Sequence, residues 1–160
     1  MPSLHLLVGL PGAGKSTWLI EQRKLGLKGV LLSTDFFIEN YAAWQKKTYN
    51  EVFKERIKDS IDFMMVHLAD AIKHDKNIIW DQTNLTAKVR AKKLSYIPKH
   101  YTKEAIIFTT SYHTLATVNE ERKSIGRTIP KHILESMIKS FDISNIETEG
   151  FDTITRSTRS

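Results

Sequence analysis

The chain contains no cysteine, which excludes disulfides and thiolate metal sites and is compatible with a reducing compartment. No apolar run approaches the roughly 20 residues of a helical membrane span. No charged leader precedes the first apolar stretch at Leu4, so a soluble, untargeted, cytoplasmic protein is expected. The six histidines show no ligand spacing, and no repeat, low-complexity tract or linker divides the chain. What remains is 160 residues with 41% hydrophobic content, enough for one ordinary core. A single domain over 1–154 with a frayed polar tail over 155–160 is expected. Against 18 acidic residues stand 24 lysines and arginines, for a net charge of +6. That balance favours a polyanionic partner, although a solvated basic surface explains it as well.

One stretch satisfies every fixed position of the phosphate-cradling pattern G-x-x-x-x-G-K-[ST]: Gly9-Leu10-Pro11-Gly12-Ala13-Gly14-Lys15-Ser16. Glycines let backbone N–H groups turn inward around a polyphosphate, and a side chain larger than Ala13 would crowd the anion. Pro11 stiffens the entry. Lys15 supplies a point charge to the β- and γ-phosphates, and the Ser16 hydroxyl, followed by Thr17 at the start of a helix, is placed to ligate Mg²⁺. The apolar run Leu4–Val8 before the loop reads as a buried parallel strand, and Thr17–Leu25 after it as a helix stopped by Gly26. Strand, glycine loop and helix together predict a nucleoside-triphosphate-dependent phosphotransferase that uses Mg²⁺, although the motif alone does not identify the reaction.

Further along, Gly29–Asp35 reads as a second strand ending in polar residues. In open α/β sheets ligands bind beyond the carboxyl ends of strands, so Asp35 belongs on the same rim as the glycine loop. There it would take the proton of an attacking hydroxyl, or would merely cap the next helix. The segment from Phe36 to Tyr49 is rich in aromatics, which either stack an acceptor base or pack into the core. Apolar positions from Phe53 to Ile72 recur at steps of three and four, predicting a long scaffold helix over 50–74 with its methionines in the core.

A third strand, Asn77–Trp80, runs into Asp81-Gln82-Thr83-Asn84. Asp81 and Asn84 are read as orienting residues, with an Asx turn before a helix over 86–96 as the alternative. Glu104–Thr109 gives a fourth strand, and a helix over 113–123 follows. Then Arg122-Lys123-Ser124-Ile125-Gly126-Arg127-Thr128-Ile129-Pro130 describes a mobile basic lid whose arginines match phosphate oxygens, or else a basic loop in water. A helix over 131–141 and a short fifth strand near 149–154 complete a three-layer α/β fold with a four- or five-stranded, mainly parallel sheet.

Taken in this order, the phosphate loop with Thr17-Trp18, Asp35, Asp81-Gln82-Thr83-Asn84-Leu85, and the arginine segment ending at Ile129-Pro130 resemble the kinase domain of phage-type polynucleotide 5′-kinases. The likeness runs from about Leu4 to Phe141. It implies that Lys15 and Ser16 bind ATP and Mg²⁺, Asp35 is the general base, Asp81 orients the site, and Arg122 and Arg127 clamp the phosphates. The 5′-hydroxyl of DNA or RNA is the acceptor it implies, in nucleic-acid repair, and the host cytoplasm the location if the chain is phage-encoded. Those kinases carry an arginine three residues after the base, where this chain has Ile38, and their lid spacing differs. The chain has no room for the phosphatase domain that often accompanies the kinase. A small metabolite or nucleoside is the alternative acceptor, and an ATP-dependent nucleic-acid-binding module a third reading.

Overall fold

A computed structural model describes residues 1–158. Five strands form one all-parallel sheet in the order β2-β3-β1-β4-β5. They are β1 (Ser3–Gly9), β2 (Val30–Leu32), β3 (Ile78–Asp81), β4 (Thr102–Thr109) and β5 (Thr153–Thr158). Parallel neighbours require crossovers, which the helices supply. These are α1 (Lys15–Lys24), α2 (Thr34–Trp44), α3 (Tyr49–Lys73), α4 (Ala87–Ser95), α5 (Tyr112–Glu121) and α6 (Lys131–Ser140).

The alternation of side chains along each strand divides the core in two. Leu6, Val8, Ile78, Trp80, Ala105 and Ile107 face one way, against Met64, Leu68 and Ala71 of α3. Leu7, Ile79, Ile106 and Phe108 face the other, against Leu19 of α1 and Leu115 of α5. The central strands are therefore apolar at almost every position, as burial on both faces demands. A smaller cluster, Ile38, Ala42 and Val52, joins α2 to α3.

Local chemistry sets the helix starts. Ser33, Thr86 and Ser111 cap α2, α4 and α5 through their hydroxyls. Thr48 and Glu51 form a reciprocal capping box at α3, satisfying two orphan N–H groups at once. Asp35 is thus not the cap of α2; it lies in the first turn, one residue inside. The sheet extends further than the sequence suggests. Residues 155–158, expected to fray, continue β5 alongside Ile106–Thr109, and the Thr155 hydroxyl donates to Glu104 Oε2 (2.9 Å). Residues 159–160 of that tail lie outside the described residues. Among the described residues no helix is long and apolar enough to cross a membrane.

Candidate active site

The carboxyl ends of β1, β2 and β3 meet along one rim, next to the point where the chain order departs in both directions from β1. This is where ligands sit in such sheets. Gly12 and Gly14 take φ values of +90° and +106°, which fold the loop after β1 into a turn that side-chain-bearing residues rarely adopt. Gly14 leads directly into α1, so the loop amides and the helix N-terminus face the same space, a cavity of about 260 Å³. Pro11, Gly12, Gly14, Lys15, Ser16 and Thr17 line one side of it. Gly9 and Ala13 lie behind: Gly9 N–H donates to Thr83 O (2.9 Å) and Ala13 N–H to Leu10 O (3.1 Å).

Lys15 Nζ donates to Gly9 O across the loop (2.6 Å). Burial pulls its pKa down to about 8, against the upward pull of Asp81 and Asp35. A desolvated ammonium at the N-terminus of a helix fits a polyanion better than any neutral ligand. Asp81 ends β3, the strand beside β1, on the same cavity; burial raises its pKa, while Lys15 holds it down. A carboxylate and the Ser16 hydroxyl on one cavity are the hard oxygen donors that Mg²⁺ takes.

Asp35, Arg122 and Arg127 close the cavity. Arg127 Nη2 donates to Asp35 Oδ2 (2.9 Å), and its Nη1 pairs with Glu39. The other Asp35 oxygen, Oδ1, accepts from the Tyr49 hydroxyl (2.5 Å). Burial, together with the charge of Asp35, pushes the Tyr49 pKa far up, so the phenol is a neutral donor throughout the physiological range.

The segment carrying the arginines is better anchored than a mobile lid. Residues Arg122–Ile125 form a 3-10 turn. Arg127 N–H returns to Arg122 O (3.1 Å), and Asn50 N–H donates to Gly126 O (2.9 Å). Asn50 Nδ2 donates to Thr128 O (3.0 Å), and the Asn119 amide brackets both the N–H and the C=O of Ile129 (2.8 Å each).

Asn84 is not on the cavity wall. It is buried in a left-handed conformation, φ +50°, and Nδ2 donates to Leu7 O (2.6 Å). Its Oδ1 accepts from Lys93, whose Nζ also donates to Gln82 Oε1 (2.7 Å) and lies 5.1 Å from the Trp80 ring centroid. Asn84 therefore shapes the loop, and Gln82 and Thr83 are the residues that reach the cavity beside Asp81. Burial, and to a lesser degree the charge of Lys15, pulls Lys93 down to about 7. The aromatic segment divides as well. Ile38 is fully buried and Phe37 and Tyr41 pack beside it, whereas Phe36 and Trp44 are exposed.

Tyr49 and Lys93 are the contributors that sequence reasoning missed. Tyr49 stands among aromatics that read as stacking or core residues, and Lys93 follows Lys92 on what reads as a solvated helix face. Neither carries a local signal.

Among solved structures, a candidate kinase of Chloroflexus aurantiacus superposes with a TM-score of 0.71 at 20% identity, covering 98% of this chain and 85% of that one. A chain of the PezAT chromosomal toxin-antitoxin system of Streptococcus pneumoniae gives 0.66 at 22% identity, covering 99% and 69%. Kti12 of Chaetomium thermophilum, in complex with ADP-AlF3, gives 0.58 at 15%, covering 97% and 88%. These likenesses establish the fold, a three-layer arrangement shared with P-loop kinases. With the family model AAA_33, described as an AAA domain, matching residues 4–143, the chain belongs to the AAA_33 family.

Proposed function

We propose that this protein is an ATP-dependent kinase that moves the γ-phosphoryl group onto a hydroxyl, with the 5′-hydroxyl of a polynucleotide as the first acceptor to test. The observation that carries the reading is Asp35: a carboxylate in the same cavity as the phosphate loop, Lys15, Arg122 and Arg127. A switch protein has no need of a base for an acceptor hydroxyl.

In this mechanism the acceptor oxygen attacks the γ-phosphorus as the bond from that phosphorus to the bridging oxygen breaks, and ADP leaves with the electron pair. The acceptor proton passes to Asp35, chiefly late in a loose transition state. Lys15 and the loop amides offset the phosphate charge, and an arginine spreads the charge on the transferring group. Mg²⁺, when bound through Ser16 and, directly or through water, Asp81, would screen the triphosphate.

A small-molecule acceptor is the second reading, and one observation favours it. The position where related kinases carry an arginine for the acceptor phosphate is Ile38, which is shut into the core between α2 and α3. The next residue, Glu39, is exposed and acidic. Incubation with γ-labelled ATP and Mg²⁺ separates the readings, using a 5′-hydroxyl oligonucleotide in one arm and nucleosides or simple sugars in the other. Label on the oligonucleotide that is lost in Lys15→Ala supports the first reading; label on a small acceptor alone supports the second. Asp35→Asn should cost roughly 10²- to 10⁴-fold in rate with either acceptor, and unchanged turnover would remove the base assignment.

A further inference from the structure

Asp35 and Arg127 are far apart in sequence, and one side chain touches both. The Tyr49 hydroxyl donates to Asp35 Oδ1 (2.5 Å), while its ring centroid lies 4.8 Å from the Arg127 guanidinium carbon. Arg127 in turn holds Asp35 Oδ2 (2.9 Å). Tyr49 is the first residue of α3, directly after the capping box that fixes where that helix begins. Its neighbour Asn50 binds the backbone at Gly126 and Thr128, on both sides of Arg127. The start of α3 thus sets the position of the carboxylate through residue 49 and of the arginine's backbone through residue 50.

From this geometry we infer that Tyr49 is a positioning residue for phosphoryl transfer, acting on the base through its hydroxyl and on the arginine through its ring. The inference rests on the reading of Asp35 as the base. A carboxylate gripped on one oxygen by a neutral donor keeps its other lone pairs directed at the acceptor, and a hydrogen bond to the charged form favours that form. The ring face holds the Arg127 guanidinium where it also meets Asp35, because a guanidinium is attracted to the π face of a phenol. The two functions reside in different parts of one side chain, so they separate by substitution. Tyr49→Phe removes the hydroxyl and keeps the ring; Tyr49→Leu removes both.

Other charges act on Asp35 and must be held constant. Lys15 from α1, Asp81 from β3, and Arg122 and Arg127 from the segment after α5 share its cavity, and Glu39 on α2 competes for Arg127. None of them changes in these variants. The test is steady-state kinetics of the full chain as wild type, Tyr49→Phe and Tyr49→Leu, with Asp35→Asn as the base-deleted reference. Transfer of label from γ-labelled ATP to a 5′-hydroxyl oligonucleotide is followed across pH on the same proteins.

Tyr49→Phe should act on turnover and not on nucleotide binding. At the optimum kcat should fall roughly ten- to a hundredfold, the scale of a misplaced catalytic group, with KM for ATP unchanged. Tyr49→Leu should lose more kcat than Tyr49→Phe. A kcat for Tyr49→Phe equal to that of the wild type overturns the inference, as does a loss carried by KM for ATP with kcat intact, and a lower melting temperature alone does not rescue it. If the wild type labels no oligonucleotide, the polynucleotide reading fails separately, and the same comparison on a nucleoside or sugar acceptor decides whether Tyr49 acts on Asp35.

Discussion

The two walls of the cleft are built by different means. The phosphate wall is local: Gly9 to Thr17 follow one another in sequence, and strand, loop and helix impose their geometry directly. The other wall, which we propose receives the acceptor, is assembled from a distance. Asp35 on α2, Tyr49 on α3 and Arg127 after the 3-10 turn meet through hydrogen bonds that span 14 and 92 residues. A wall made locally survives changes elsewhere in the fold, whereas one made by convergence depends on each element that brings a residue to it. The acceptor wall is therefore where small displacements should cost activity without costing nucleotide affinity.

Arg127→Ala sharpens this contrast most. If Arg127 is the transition-state arginine, kcat should fall by roughly 10³- to 10⁵-fold while calorimetry gives an unchanged Kd for ATP. If Arg122→Ala shows that fall and Arg127→Ala does not, the roles are exchanged. Next comes a residue that ties α4 to the C-terminal segment. Arg90 is fully buried, makes a bidentate pair with Glu149, and also donates to Asn84 O and Asp142 O. Arg90→Met strands a partner carboxylate and two carbonyls, so denaturant unfolding should register a loss of about 3–5 kcal/mol. Because Asn84 lies behind the phosphate wall, nucleotide affinity should weaken too; unaltered affinity would mean that this wall is independent even of its backing.

Lys93 gives a pH-dependent version of the same test. Its pKa of about 7 in the fold lies below the ordinary lysine value near 10.4. Between those values the unfolded chain binds the extra proton, so this group makes stability rise with pH over that window. Lys93→Met should remove the rise, by a few kcal/mol at most, and stability curves that run parallel for wild type and variant from pH 7 to 10 would refute the shift. Gly126→Ala tests the packing of the segment on α3. A Cβ there would lie 2.4 Å from Thr48 Cβ, and φ is +66°. Backbone strain of about 1 kcal/mol and overpacking of about 1–3 kcal/mol should both register in thermal or denaturant unfolding, with a drop in kcat, because the clash pushes the arginine segment off α3.

How far the sequence could be read follows the same division. The glycine loop was legible because all its chemistry lies in consecutive residues. Asp35 and Asp81 were legible because each follows an apolar strand, and the sheet brings strand ends to one rim. The pairing of Asp35 with Arg127 had no local trace. Lys93 and Arg90 sit on a helix whose other basic residues face solvent, and only the fold shows that these two turn inward. Residues 155–158 looked frayed because Thr153–Thr158 contains one strongly apolar residue, Ile154; an edge strand needs backbone partners more than a hydrophobic pattern, and β4 provides them.

The two asparagine clamps on the arginine segment carry a lesson for redesign. Asn50 and Asn119 fasten backbone, not side chains, so apart from Gly126, whose lack of a side chain is required, the segment is held by its length rather than by the identity of its residues. An engineer seeking a new acceptor specificity should therefore leave the spacing from Gly126 to Ile129 and the Glu39 partner of Arg127 untouched and diversify the exposed positions Phe36 and Asn40 of α2.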